Sequence, residues 1–185
     1  MTTKRKRRTS AEVIANRRAH HEAGHAVVAW VLGWEIGSIE MVPKDRAAAR
    51  VVLKTPVLDE LPDGSISPGS SGDARDHVCC ALAGPLAEAR AERGRLPTWY
   101  LYLDGGGEDV AAARHLVGRL VGTQGPEAVQ RHMRELERWT RQWLTAQWSA
   151  VSALAAHLTP GAVLDAETVD RVLWPHVRRS PSLCR

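Results

Sequence analysis

Residues 21–33 have the sequence HEAGHAVVAWVLG, and this stretch decides how the first part of the chain folds. Ser10 is a residue type that caps helices, and Gly33 is a natural helix stop, so we expect one helix between them. Residues on one face of that helix recur at spacings of three, four and seven. They are Ile14, His21, His25, Val28 and Leu32. The apolar stripe of this helix therefore contains two histidines.

His21 and His25 lie four residues apart, and a helix projects side chains at this spacing to the same side. Both imidazoles can then bind one zinc ion, with Glu22 about a third of a turn away beside the metal. His20 makes no competing pair, because the residue four positions later is Gly24, which has no ligand atom. The pattern favours metal-assisted hydrolysis over the simpler interpretation that these are ordinary core or surface side chains.

A hydrolytic zinc site has three protein ligands and one open position for water. The glycines at 105–107 allow a close backbone approach, and a helix that starts after them can direct a short carboxylate, which makes Asp109 attractive. Composition and spacing nevertheless leave the choice of the third ligand open. The candidates are Asp104, Glu108, Asp109 and His115.

The rest of the pattern predicts a mainly α fold with a small β-sheet, an α+β class. Alternation over 36–42 and β-branched residues over 50–54 predict a hairpin or two neighbouring strands. Proline, glycine and serine over 56–72 predict a loop. Further helices are expected over 73–93, 108–121, 126–158 and 165–173, the last capped by Asp165.

The expected helix over 126–158 is long for a chain of 185 residues. Trp139 and Trp148 would widen its apolar stripe into a second face. We therefore expect this helix to contact another copy of the chain, as a homo-oligomer, or a partner protein.

Composition limits the class of protein. The chain is 44% hydrophobic and 25% charged, which excludes a disordered, collagen-like or disulfide-dense chain and fits one folded domain. No apolar run is long enough to span a membrane, and no secretory signal is evident, so we expect a cytoplasmic, reducing location. Cys79, Cys80 and Cys184 form neither a disulfide framework nor a structural zinc pattern.

The positive charge belongs to the N-terminus. The net charge is +4, but the five consecutive basic residues from Lys4 to Arg8 contribute +5, so the remainder is −1. We expect a disordered basic tail over 1–9, a folded domain over 10–177 and a short tail over 178–185. Such a tail supports at most weak nucleic-acid contact, and no nucleic-acid-binding motif is evident.

Several segments resemble, in order, the peptidase domain of the FtsH-type ATP-dependent zinc metalloproteases. They are HEAGHAVVAWVLG at 21–33, IGSIEMVPK at 36–44, ALAGPLAEARAERG at 81–94, GGGEDVAAARHLV at 105–117 and the helical pair at 145–173. The resemblance covers about residues 18–174. It implies a zincin-like helical peptidase domain in which His21, His25 and Asp109 bind zinc and Glu22 is the general base.

The chain departs from that family in three respects. It has no segment like the phosphate-binding loop of the family's ATPase module. Pro85 stands where the family has a small or basic residue, and 96–107 is more aromatic. The resemblance therefore implies a zinc metalloendopeptidase that cuts flexible or unfolded protein segments without ATP, with a separately encoded ATPase as a candidate partner.

Two further features concern the substrate. A peptide could add as a β-strand to 36–42 or to the neighbouring strand, by analogy with sequence-tolerant backbone recognition. Tyr100, Tyr102 and His115 are candidate oxyanion stabilisers, although residues of these types more often serve packing or the surface.

The rival hypothesis is a zinc-stabilised interaction module or regulatory subunit with little catalysis. In it, the long tryptophan-bearing helix would dock a partner. Glu22 discriminates between the two, because a structural zinc site closes its fourth position with cysteine or histidine and has no use for an adjacent carboxylate.

Overall fold

A computed structural model describes residues 10–41, 49–92 and 107–176 of the chain. The predictions for the two tails and for Asp104, Tyr100 and Tyr102 lie outside these ranges. Mainly helical structure with one small antiparallel sheet confirms the α+β class. None of the helices in these ranges combines the length and apolarity needed to cross a membrane. The elements are α1 (Ser10–Val31), β1 (Glu35–Met41), β2 (Ala49–Lys54), α2 (Ser71–Ala91), α3 (Gly107–Val121), α4 (Pro126–Ala146), α5 (Trp148–His157), β3 (Val163–Asp165) and α6 (Ala166–Leu173).

α1 is the central helix of the fold. Its second half is buried on nearly all sides, because it packs against α2, α5 and the sheet. The predicted stop at Gly33 is confirmed: its φ is +80°, and its N–H donates to the carbonyl of Trp30. The N–H of Trp34 donates to the carbonyl of Ala29, which completes a Schellman motif. This end of α1 turns the chain directly into the sheet.

The sheet contains three strands in the order β2-β1-β3, and both pairings are antiparallel. The predicted pair of neighbouring strands is confirmed, whereas β3 was not expected. Because β1 pairs with β3 over Ser38–Glu40 and with β2 along its other edge, it cannot accept an added peptide strand there. The expectation that 36–42 receives substrate is therefore wrong, and its neighbour β2 is the remaining option.

The predicted loop over 56–72 is confirmed in most of its length. It contains an isolated bridge between Glu60 and Ile66 and a short 3-10 turn, Pro68–Ser70, before α2 starts at Ser71. Arg119 of α3 holds the loop: its Nε donates to the carbonyl of Gly64 at 2.9 Å, and its guanidinium lies 2.7 Å from a carboxylate oxygen of Glu60. The loop thus packs onto the C-terminal end of α3.

The single long helix predicted over 126–158 is wrong, because the chain breaks at Gln147 into α4 and α5. α4 packs against α2 and α3, whereas α5 packs against α1 and α6. The two helices therefore bury their apolar faces against different parts of the core. Trp148 fixes the break: its ring stacks on His20, and the guanidinium of Arg90 lies 4.6 Å from the ring centre. The predicted cap of the last helix is confirmed, since Asp165 accepts the N–H of Thr168.

The break removes the basis for the expected oligomer. Trp139 and Trp148 are partly buried and pack against the core of the same chain, so they do not form a second apolar face on one long helix.

Candidate metal centre

The structure brings His21, His25 and Asp109 to one point. The two Nε2 atoms are 3.1 Å apart, and Oδ2 of Asp109 lies 3.1 Å from Nε2 of His21 and 3.5 Å from Nε2 of His25. Two ligands bound to tetrahedral zinc at 2.0–2.1 Å are separated by about 3.3 Å. The three atoms therefore have the separations that one shared metal ion would require.

The other candidates for the third ligand do not belong to this group. Glu108 and His115 are both exposed, although each lies on the same helix as Asp109. Within the described ranges, the His21, His25 and Asp109 group is the one set of three that could hold a metal ion. The exposed position of His115 also gives no support to its role as an oxyanion stabiliser.

The outer nitrogens of the two imidazoles are both held by acceptors. Nδ1 of His25 lies 2.8 Å from the carbonyl oxygen of Cys80, which can only accept a hydrogen bond. Nδ1 of His21 lies 3.2 Å from Oε2 of Glu88. Burial raises the pKa of Glu88, but the hydrogen bonds from His21 and Arg17 outweigh it and lower that pKa overall, so this carboxylate also accepts. Each Nδ1 therefore carries a proton.

This arrangement fixes which nitrogen of each ring is free to bind. In neutral histidines with Nδ1 protonated, both Nε2 lone pairs point at each other and at the Asp109 carboxylate. Three lone pairs that converge at these distances repel one another, so positive charge at this point, from a metal ion or from protons, stabilises the group. Such outer hydrogen bonds are also the usual support of histidine ligands in metal sites.

Without a metal, protons supply part of that positive charge. Burial by itself lowers the pKa of both imidazoles. The hydrogen bonds to Asp109, to Glu88 for His21 and to the Cys80 carbonyl for His25, together with the negative charge of Asp109, outweigh burial and raise both pKa values above the ordinary range. The same contacts lower the pKa of Asp109, against the effect of its burial. A metal ion at this point would displace protons from His21 and His25.

Glu22 is a buried acid next to the metal-binding group. Glu22 is only 7% exposed. Burial raises the pKa of Glu22, and the positive charge of the neighbouring histidines offsets this only in part. A carboxylate with a raised pKa is suited to accept a proton and return it during catalysis.

Two glycines allow the close approach of α1 and α2 that builds the site. A Cβ on Gly24 would lie 2.5 Å from the carbonyl oxygen of Ala83, and a Cβ on Gly84 would lie 2.2 Å from Nε2 of His25. The His25 ring thus rests directly on the Gly84 backbone. No side chain larger than hydrogen fits at either position without displacement.

Sequence reasoning missed Glu88, which lies on α2 and is 6% exposed. Its carboxylate contacts His21 and also forms an ion pair with Arg17. The sequence feature that could have identified Glu88 is an acidic residue on a helix that is otherwise mostly apolar. Periodicity alone does not reveal which residue on another helix it contacts. If Glu22, Glu88 and Asp109 are ionised and the histidines neutral, the site with Arg17 has a net charge of −2. One divalent cation would balance this charge.

Asp109 provides a direct test of the site. We expect Asp109→Asn to weaken zinc binding about 100-fold or more, because an amide has no negative charge to neutralise the ion. Glu108→Gln makes the same kind of change on the neighbouring exposed residue and should leave affinity within about two-fold of the parent chain. Competition with a chromogenic chelator measures both. Equal affinities for the two variants would remove Asp109 from the ligand set.

No protein-family model matches the chain, and no curated protein matches its sequence. The resemblance of 21–33 and the later segments to the FtsH-type peptidase domain stays a prediction. The geometry of the site itself is therefore the basis for a proposed function.

Proposed function

We propose that this chain is a zinc metallopeptidase that hydrolyses peptide bonds in flexible or unfolded protein segments without ATP. One observation carries the proposal: Nε2 of His21, Nε2 of His25 and Oδ2 of Asp109 converge on one point, beside the buried Glu22. Two imidazoles and one carboxylate are the donor set of catalytic zinc sites that keep one position open for water. Magnesium and calcium prefer sites built entirely from oxygen ligands.

The chemistry divides between the ion and the protein. A bound zinc ion would polarise the scissile carbonyl and lower the pKa of a bound water. Glu22 would accept the proton of the attacking water and return it to the leaving amine. Glu88 and the Cys80 carbonyl hold the two histidine rings, so that both Nε2 atoms stay directed at one point.

The sheet favours an extended substrate. β1 is paired on both sides over Ser38–Glu40, whereas β2 pairs with β1 alone among the described strands. A peptide added to the outer edge of β2 would be bound through backbone groups, which makes binding tolerant of sequence. A bound segment must be extended and must have unpaired backbone groups, and flexible or unfolded segments meet both requirements. Flexible or unfolded proteins are therefore the proposed substrate class.

The test combines metal analysis with digestion. We expect one zinc per chain and cleavage of casein, which lacks a stable fold, in the absence of ATP. Removal of the metal with a chelator should abolish cleavage, and stoichiometric zinc should restore it. Retained cleavage after complete metal removal would contradict the proposal.

The same experiment separates a peptidase from the rival interaction module. A chain that binds one zinc but cleaves neither casein nor short unstructured peptides would have a structural or regulatory site. Thermal unfolding with and without zinc would then show stabilisation by the metal without turnover.

A further inference from the structure

A chain of three charged or polar side chains leads from the surface to the metal-binding group. Nε and Nη2 of Arg17 donate to Oε1 of Glu88 at 2.7 Å and 2.5 Å. The other oxygen of Glu88, Oε2, accepts from Nδ1 of His21 at 3.2 Å. Arg17 and His21 are one helical turn apart on α1, and Glu88 reaches between them from α2.

The two histidines are supported in different ways. The partner of His25 is the backbone carbonyl of Cys80, which the α2 helix holds in place. The partner of His21 is a long side chain with three rotatable bonds, which can orient His21 only if it is itself oriented. Arg17 supplies that orientation, because its planar fork fixes Oε1 and leaves Oε2 directed at His21.

Burial makes this anchor necessary. Glu88 is only 6% exposed, and a buried carboxylate without a cation is costly. Without Arg17, the Glu88 side chain would gain by turning toward water, away from Nδ1 of His21. His21 would then lose the acceptor that keeps its Nε2 free for the metal.

We infer that Arg17 is a positioning residue of the metal centre, which holds Glu88 so that Glu88 fixes the orientation and tautomer of His21. The inference rests on the proposed zinc site, and it assigns to Arg17 a role in metal affinity in addition to any role in stability. The simpler alternative is an ion pair that only joins α1 to α2. That alternative predicts a change in the free energy of unfolding without a specific change at His21.

The test compares zinc affinity in Arg17→Met, which keeps much of the side-chain length, with Arg141→Met. Arg141 also forms an ion pair with a glutamate, Glu137, but on α4 and away from the site. We expect Arg17→Met to weaken zinc binding about 10-fold to 100-fold, as found for residues that support metal ligands. Arg141→Met should stay within about two-fold of the parent chain.

Glu88→Gln tests the central residue of the Arg17, Glu88 and His21 hydrogen-bond chain. Arg17 and His21 donate to different oxygens of Glu88. In glutamine an NH2 group replaces one of these oxygens, so one of the two donors meets a group that cannot accept. We expect a loss of zinc affinity similar to that of Arg17→Met, and little further loss when both changes are combined. A full additional loss in the double variant would show that Arg17 does not act through Glu88.

A spectroscopic measurement reports on His21 directly. In the zinc-loaded parent chain, long-range proton–nitrogen NMR spectra should show His21 protonated at Nδ1, and this signal should broaden or shift in Arg17→Met. Arg17→Lys keeps the charge but loses the fork, so its zinc affinity should lie between those of the parent and Arg17→Met. If Arg17→Met does not fold, Arg17→Lys and Glu88→Gln decide the question.

The outcomes separate the two proposals. A parent chain that binds no zinc overturns the proposed function and this inference together. The inference alone is overturned if the parent binds zinc and Arg17→Met shows the same zinc affinity and the same His21 signal. If Arg17→Met does not fold, the same result in both Arg17→Lys and Glu88→Gln overturns it.

Discussion

Replacement of Glu22 by glutamine is expected to reduce peptide hydrolysis about 10²-fold to 10⁴-fold while the chain keeps its zinc and its fold. Glutamine has nearly the same shape as glutamate, so the buried position can accept it. Its amide oxygen is not basic, so it cannot take the proton from the attacking water. The proposed ligand atoms belong to His21, His25 and Asp109, which the substitution leaves in place.

Glu108→Gln is the matched control, because it removes a carboxylate from an exposed residue next to a ligand. Initial rates on an unstructured peptide, zinc content and thermal unfolding should be measured for both variants and the parent. Cleavage by Glu22→Gln at a rate within a few-fold of the parent would exclude Glu22 as the base. Loss of zinc from the variant would instead show that Glu22 supports metal binding.

The local part of the site could be predicted from sequence. The spacing of His21 and His25 is a property of one helix, and the positive φ of Gly33 and the Asp165 cap are also local features. Each of them depends on contacts within a few residues of the chain. Periodicity and capping rules therefore apply to them directly.

The identity of the proposed third ligand depends on tertiary structure. Asp109 is 88 residues from His21 along the chain, and it reaches the site because α3 packs against α2. Spacing alone could not choose Asp109 over Glu108, because both lie in the first turn of α3. Glu88 was missed for the same reason, since its partners Arg17 and His21 lie on another helix.

The wrong prediction of a single helix over 126–158 and the missed third strand also have physical explanations. No proline or glycine marks the break at Gln147, and the apolar stripe continues through it, so periodicity predicts one helix. The break follows from α5 packing against α1, where Trp148 stacks on His20. β3 contains three residues, which is too few for alternation to be recognised.

Gly84 is a position where helix propensity and tertiary packing make opposite predictions. Alanine in a helix interior is favoured over glycine by about 1 kcal/mol, so propensity alone predicts that Gly84→Ala stabilises α2. The new Cβ would, however, lie 2.2 Å from Nε2 of His25 and 2.7 Å from two further atoms of the ring. The ring cannot shift freely, because its Nδ1 donates a hydrogen bond to the carbonyl of Cys80, which lies on α2 one turn before Gly84.

We therefore expect Gly84→Ala to abolish zinc binding and to lower the free energy of unfolding by about 1–3 kcal/mol, the usual cost of overpacking. Gly118→Ala is the matched control, because Gly118 also lies within a helix, but a Cβ there meets no atom within 4 Å. That variant should keep full zinc affinity and gain up to about 1 kcal/mol of stability. Chelator competition and denaturant unfolding measure both quantities. If Gly84→Ala binds zinc as tightly as Gly118→Ala, the His25 ring does not rest on the Gly84 backbone, and packing at this point does not limit zinc binding.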